Sequence, residues 1–512
     1  MLENLHWLDL LVLAIGFTII LVIGITSARR SNSAEGYFLA GRSLPGWVVG
    51  FSVMATIVSS MTFLSNPAFT YEHDWRHMPA NCTYLLAMVL ALMVFVPFYR
   101  KLQVNSIYEY LEWRFGAWAR LYAAGCYVLL KVAKMGVVLY MTSLALQIIV
   151  GAAVPLEMVM LVFGVVVAAY TIAGGLEAVI WTDLLQGVAL IGGGLICMPI
   201  ICMQVPGGFT EIMEVAWEQG KFGVGDTDWT LLKVTLWATL FSKFMSFCQL
   251  LGTDQMAGQR YAAARSDREA RQAVIFGCLL TIPVWAYFFL VGTSLFVRYQ
   301  LNPDPAIEAM RADQVFPYFI LTQLPAGLSG FAVLGLLAAA MSTLDSIINA
   351  AAATATTDFY QRLWATDRDP RHYAWVGRLF SLLFSVIMVV SALAIHFSRQ
   401  GKAIEDLQTM LLSVLGGGLL GLFLLGFLTR RVDSRSALIA TVITVVGVAI
   451  WLFLDSEMGA AWFPGIAPYV PDKFWVGVFA NVVLFGLGYG ASYLFGRPTA
   501  DDRLEGLTVW EK

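Results

Sequence analysis

The chain has 512 residues, of which 59% are hydrophobic and only 13% charged, with a formal net charge of −3. A mean hydropathy of +0.72 is more than a water-soluble domain sustains, and the near-neutral charge excludes a protein that works by neutralising nucleic-acid phosphates. The longest polar insert, about residues 204–231, leaves no room for a soluble catalytic or sensory domain. These features predict an all-α polytopic membrane protein that is not an enzyme.

Windows of about 20 apolar residues, enough to cross a hydrocarbon core, recur thirteen times. The predicted spans lie near 7–28, 46–71, 79–99, 121–150, 155–173, 180–203, 232–252, 273–297, 326–358, 376–397, 406–428, 436–454 and 474–495. The first lacks a small-residue cleavage site and runs into Arg29-Arg30, which reads as an uncleaved anchor. The second is interrupted by SSMTFLSNP (59–67), where Asn66-Pro67 is expected to end or kink the helix. The EHDWRH run that follows (72–77) gives His73 and His77 the helical spacing of metal ligands, but reads better as a hydrated membrane surface. The fourth span carries Lys131 and Lys134, three residues apart and therefore on roughly one helix face. The seventh is interrupted by SFCQLLGTDQ (246–255). Two interrupted spans, five apart, are the sequence pointer to an inverted-repeat transporter with its site near the midplane.

The ninth span is too long for a straight crossing, so it tilts or protrudes. Within it, AAAMSTLDSIIN (338–349) places the Ser342 and Thr343 hydroxyls and the Asp345 carboxylate among apolar residues. A mid-helix carboxylate costs roughly 2.5–3.5 kcal/mol on insertion scales and survives where it meets a cavity, an ion or a partner. Hydroxyl and carboxylate oxygens suit a small hard cation, so the segment predicts a sodium site. The six cysteines lie in or beside apolar segments and read as packing residues.

With the N-terminus outside, and Lys233 and Arg378 at span edges counted with their adjoining loops, the cytoplasmic loops hold 21 of the 32 basic residues, against 8 in the opposite loops and 3 within spans. Arg29, Arg30, Arg100, Lys101, Arg260, Arg265, Arg268, Arg271, Arg430, Arg431 and Arg435 are among the 21. The asymmetry predicts N-terminus out and C-terminus in, as an odd span count requires.

Five patches then carry a family resemblance: YFLAGRSLPGW (37–47), YTIAGGLEAVIWTDLLQ (170–186), TDQMAGQRYAAARSDREAR (253–271), GLLAAAMSTLDSIINA (335–350) and GGLLGLFLLGFLTRR (417–431). Over about residues 5–495 the chain resembles the sodium:solute symporter family. The resemblance implies a LeuT-like core of two inverted five-helix repeats. Residues 1–45 would form an extra helix and cytoplasmic loop, 46–203 the first repeat, 204–231 an extracellular loop, 232–428 the second repeat, and 429–512 two further helices and a tail. It implies sodium-coupled import of a small polar organic solute by alternating access, in the cell (inner) membrane. No nucleic acid and no obligate protein partner are implied.

By the same resemblance, the main sodium site matches the backbone carbonyls of Ala55, Val58 and Ala339 and the hydroxyls of Ser342 and Thr343. A second cation site matches Asp183, Ser342, Asp345 and Ser346. Asp345 departs from the family's sialic acid carrier, which has a serine there; two carboxylates would bind a second cation tightly, or one would hold a proton. Substrate positions match Ser59, Thr62, His77, Asn81, Lys134 and Asp254. Lys134 stands where that carrier has an arginine that clamps a carboxylate; it keeps an anion-binding role or else, like Lys131, it snorkels or pairs internally with an aspartate such as Asp254 or Asp345. The solute is thus an acidic sugar, another carboxylate or a neutral sugar. Rival readings are a proton-coupled symporter, a membrane sensor and a membrane enzyme.

Overall fold

The computed structural model describes residues 6–27, 33–151, 153–398, 415–495 and 506–510. Arg29, Arg30 and the start of the predicted 406–428 span lie outside the described residues. Among those described, every regular element is a helix, apart from one isolated bridge between Leu44 and Ala264. Among the described residues nine helices are long and apolar enough to cross a membrane, or ten with one bent pair.

In chain order the main helices are α1 (Trp7–Ser27), α2 (Gly46–Ile57), α3 (Ser60–Glu72), α4 (Met78–Leu102), α5 (Ala117–Val150), α6 (Leu156–Gln204) and α7 (Leu236–Gly252). There follow α8 (Gln255–Ala263), α9 (Asp267–Leu301), α10 (Leu328–Gln361), α11 (Pro370–Phe397), α12 (Leu419–Leu428), α13 (Ser434–Asp455) and α14 (Lys473–Leu494). Trp7, Leu11, Ile15, Ile19, Val22 and Ile25 of α1 are all exposed and recur at helical spacing, an apolar stripe that only lipid would satisfy.

Helix α10 is the centre of the assembly: 94% of its most apolar stretch is buried, against 17% for α1. It packs chiefly on α6. Its 34 residues reach about 50 Å at helical rise, which answers the length anomaly of the ninth span. Its N-terminus is fixed from another helix. Asp9 of α1, 2% exposed, accepts hydrogen bonds from the Gly327 and Gly330 amides at 2.6 and 2.8 Å and from the Ser329 hydroxyl at 2.7 Å. A carboxylate there satisfies the free amides of the first turn and complements the helix dipole.

The second span breaks earlier than the sequence suggests. α2 and α3 meet at 52° across Val58 and Ser59, both extended. Pro67 lies inside α3 without ending it. Its surroundings explain the tolerance: Thr70 donates to the Asn66 carbonyl at 3.1 Å and to the Phe289 carbonyl of α9 at 2.8 Å, so neighbouring structure holds that turn. Gly292 lets α9 lie against Pro67, since a Cβ there would collide with the Pro67 backbone. The seventh span breaks between α7 and α8, where the Asp254 carboxylate caps α8 by accepting from the Met256 amide at 2.9 Å.

The predicted fifth and sixth spans run together as α6, 49 residues, divided at Gly175 by φ +61° and ψ −154°. That backbone geometry is essentially restricted to glycine. The GG of the 170–186 patch is therefore a turn packed against the fully buried Tyr37. The Tyr37 hydroxyl bonds the Ile172 carbonyl and Ser381, each at 3.1 Å.

Arg362 and Arg120 both bond Glu112, at 2.6 and 2.9 Å, and hold its carboxyl below the usual range. All six cysteines are free.

Candidate functional site

The break between α2 and α3 is where the site begins. A helix that stops at Ile57 leaves its last carbonyls without intrahelical partners. Here the Ala55 carbonyl meets the hydroxyl-bearing turn of α10. The Ser342 hydroxyl donates to the Ala55 carbonyl at 3.0 Å and lies 3.2 Å from the Ala339 carbonyl; Thr343 donates to Ala339 at 3.3 Å. Ala55, Val58, Ala339, Ser342 and Thr343 are each at most 1% exposed. Two segments almost three hundred residues apart thus share a pocket of neutral oxygens. The hydroxyl protons lie between oxygens that a small cation would bridge. Rotation of either hydroxyl turns its lone pairs inward, so the donor set fits a hard monovalent ion without a covalent or charge-changing step.

Beside this lies a charged network whose arginine sequence reasoning missed. Arg260 of α8, 2% exposed, donates to the Ser52 hydroxyl at 2.9 Å, the Met256 carbonyl at 3.0 Å, Asp183 of α6 at 3.0 Å and Ser346 of α10 at 2.7 Å, and it also bonds Thr56. Ser52 donates to Asp183 at 2.5 Å. Asp345 points elsewhere, accepting from the Tyr170 hydroxyl at 2.8 Å; Gln186 reaches the same hydroxyl at 3.4 Å. One oxygen each of Asp183, Asp345 and Gln186 is buried without a hydrogen-bond partner. Arg260 is therefore no cytoplasmic surface charge, as the loop count assumed. Arg114 and Arg120 are also buried, the former donating to the Thr429 carbonyl at 2.9 Å and the latter paired with Asp358 at 2.7 Å. The missed signal was an arginine inside the otherwise small and apolar run MAGQRYAAA (256–264), which no soluble loop needs.

Of the positions matched to substrate, Ser59 is half-buried and Thr62 buried, on the first turn of α3. Their hydroxyls make no hydrogen bond among the described residues. His77 precedes α4 and lies tilted against Phe69 with ring centroids 4.4 Å apart; Asn81, one turn on, is 8% exposed. Asp254 is already engaged. Besides capping α8 it forms a 2.5 Å ion pair with Lys131. Lys134 has no hydrogen bond or ion pair among the described residues and is half-buried. So the structure brings Lys131, not Lys134, to Asp254. No group of three or more histidine, cysteine or carboxylate side chains suited to a metal occurs among the described residues, and His73 and His77 form no such set.

The motif patches meet in space. Gln259 donates to the Phe38 carbonyl and to Asn349, both at 3.0 Å. The Leu44 amide bonds the Ala263 carbonyl at 3.0 Å. Patches 37–47, 170–186, 253–271 and 335–350 thus enclose one buried polar region.

The sequence matches the profile of the "Sodium:solute symporter family" over residues 37–444. It is 30% identical to the sodium/sialic acid symporter of Aliivibrio fischeri over 491 residues, covering 96% of this chain and 94% of that one. It is 31% identical to the sodium/sialic acid symporter of Proteus mirabilis over 434 residues, covering 84% and 86%. The structure resembles a substrate-bound outward-open state of a Na+-coupled sialic acid symporter, with TM-score 0.87, 28% identity, and coverage of 96% of this chain and 100% of that one. A nucleobase-cation-symport-1 family transporter shares the fold at TM-score 0.59 and 12% identity, covering 93% of this chain and 98% of that one. With the broken helix, the oxygen pocket and these likenesses together, the chain belongs to the sodium:solute symporter family, as a multi-pass protein of the cell membrane that couples solute transport to sodium.

Proposed function

We propose that this symporter imports an acidic solute, a carboxylated sugar of the sialic acid type or another carboxylate, with sodium bound by Ala55, Val58, Ala339, Ser342 and Thr343. The observation that carries this reading is the Ser342 hydroxyl 3.0 Å from the Ala55 carbonyl across the unwound Val58–Ser59 link. An ion bridging α2 and α10 fixes the start of α3, which bears Ser59 and Thr62. Sodium and solute therefore raise each other's affinity by the same factor. Each charge moved inward through 100 mV adds roughly 2.3 kcal/mol of driving force.

The solute rests on Ser59, Thr62, His77, Asn81 and Lys134, with Asp254 acting through Lys131 as a positioning group. A second cation sits by Asp183, Ser342, Asp345 and Ser346. Burial supports it: Asp183, paired with Arg260, and Asp345, bonded to Tyr170, are both fully buried. The unpartnered oxygens of Asp183 and Asp345 supply its ligands.

The architecture is thirteen spans with the N-terminus outside. The nine long helices become thirteen when α2–α3 counts as one bent span, α6 as two, and α7 and α12 as one each. Residues 46–203 and 232–428 form the inverted repeats, 204–231 the outer loop between them, and 1–45 and 429–512 the flanking parts. Rocking of one bundle against the other then alternates access to the midplane.

Counterflow of labelled N-acetylneuraminate into proteoliposomes tests the coupling. Accumulation with sodium, and none with lithium or a proton gradient alone, is the expected result. Accumulation on a proton gradient without sodium would overturn it.

A further inference from the structure

Lys221 stands in the loop that leaves α6, just after a short helix, Gly208–Glu218, which packs on α6 and α9. Its side chain does not reach into water, for the residue is 6% exposed. The ammonium instead donates to three backbone carbonyls at the far end of α3: Tyr71 at 2.7 Å, His73 at 3.0 Å and Thr70 at 3.2 Å. Those bonds use all three of its donors. The Phe296 ring of α9 lies against it, 3.7 Å from nitrogen to centroid. The backbone answers in kind, since the Lys221 carbonyl accepts from the Trp75 amide at 3.0 Å.

A helix C-terminus presents carbonyls without intrahelical partners and the negative end of its dipole, so a cation is favoured there. Here the cation comes from a distant part of the chain, and it therefore joins elements. Asp74 is taken by Arg76 at 2.7 Å and Glu72 lies 3.9 Å from His73, so carbonyls hold the ammonium, not carboxylates. α3 and α9 are already one unit, through Thr70 on the Phe289 carbonyl and the Trp75 indole on Thr293 at 3.0 Å. Lys221 fastens that unit to the loop from α6. α3 has 13 residues, a rod of about 20 Å whose two ends move together. Its other end is the Val58–Ser59 break, where the Ala55 carbonyl meets Ser342.

We propose that Lys221 is a positioning residue for sodium binding: its ammonium holds the far end of α3 and so keeps the broken link in the arrangement that receives the ion. It touches neither sodium nor solute, and the inference rests on the sodium site proposed above. Burial pushes the Lys221 ammonium down to about 8, against the pull of Asp74 and Glu72. From the turn after α3 the charged groups near it are therefore Glu72 and Asp74, with His73 and Arg76 as their partners. α9 faces it with the uncharged Phe296 ring, and Glu214 and Glu218 of its own segment are exposed. The clamp is charged below that value and weakens as pH rises through it. Arginine, which stays protonated, would not weaken.

The test uses the purified full-length chain in detergent and reads thermal stabilisation against sodium concentration at two pH values, one unit below and one unit above the Lys221 titration. At the lower pH, Lys221→Met should raise the sodium half-saturation at least threefold. The wild-type chain should show a similar rise at the higher pH, whereas Lys221→Arg should stay within about twofold of the wild-type low-pH value at both. A lower midpoint without sodium, with the half-saturation unmoved in Lys221→Met, would mean that Lys221 only stabilises the fold, and would overturn the proposal. So would a wild-type half-saturation that does not change with pH, or a rise that persists in Lys221→Arg. Should Lys221→Met fail to fold, the pH comparison of wild type and Lys221→Arg decides. Half-saturation raised in Ser342→Ala but not in Lys221→Met would refute the clamp and leave the sodium site standing. No change in either variant would refute both.

Discussion

Asp183→Leu should yield a protein that unfolds at a markedly lower temperature, and Arg260→Leu should be worse still. The two side chains are 0% and 2% exposed and 3.0 Å apart. Removing one partner of a buried pair leaves an uncompensated charge and costs about 3–5 kcal/mol. The ranking follows from the neighbour: without Asp183, Arg260 keeps Asp345 within electrostatic range, whereas without Arg260 both carboxylates lose their shared cation. The double variant, with both charges of the pair gone, should be less damaged than Arg260→Leu alone. Midpoints of tryptophan-fluorescence unfolding in detergent check all three. An Asp183→Leu midpoint equal to wild type would show that Asp183 does not anchor Arg260.

Gly175→Ala should prevent folded protein from accumulating. At φ +61° and ψ −154° any side chain is strained by about 1–3 kcal/mol. The added Cβ would also lie 2.5 Å from the Tyr37 carbonyl oxygen and 2.7 Å from its ring. Tyr37 cannot retreat, because it is fully buried and bonded to Ile172 and Ser381. Losing this turn separates Tyr170 and Asp183, which stand on its two sides, from Asp345 and Arg260. Size-exclusion profiles of a fluorescent fusion check this; a monodisperse peak at wild-type height would contradict the turn's role.

What the sequence made legible was whatever a membrane forces into local composition. Spans show because every backbone group in lipid must be satisfied within a helix. The hydroxyls of Ser342 and Thr343 stand out for the same reason. The second span's break was visible but displaced: Pro67 punctuates the sequence, yet the chain unwinds at Val58–Ser59, where no glycine or proline marks it. Arg260 was misread, since a basic residue between spans looks cytoplasmic until Asp183, 77 residues earlier, is seen beside it. Asp254 was in view as a partner for either Lys131 or Lys134, but the choice between the two lysines, like the Tyr170 partner of Asp345, was out of reach. Asp254 and Tyr170 lie 123 and 175 residues away, and nothing local distinguishes a lysine that has found a carboxylate from one, three residues on, that has not.

The most direct measurement is solute affinity against sodium concentration for the wild-type chain, Ser342→Ala and Thr343→Ala. Each substitution removes one of five oxygens, so the sodium half-saturation should rise about tenfold, or about 1.4 kcal/mol, with the solute still binding at high sodium. Unchanged half-saturation in both variants would mean that sodium binds elsewhere and that the break between α2 and α3 is not its site.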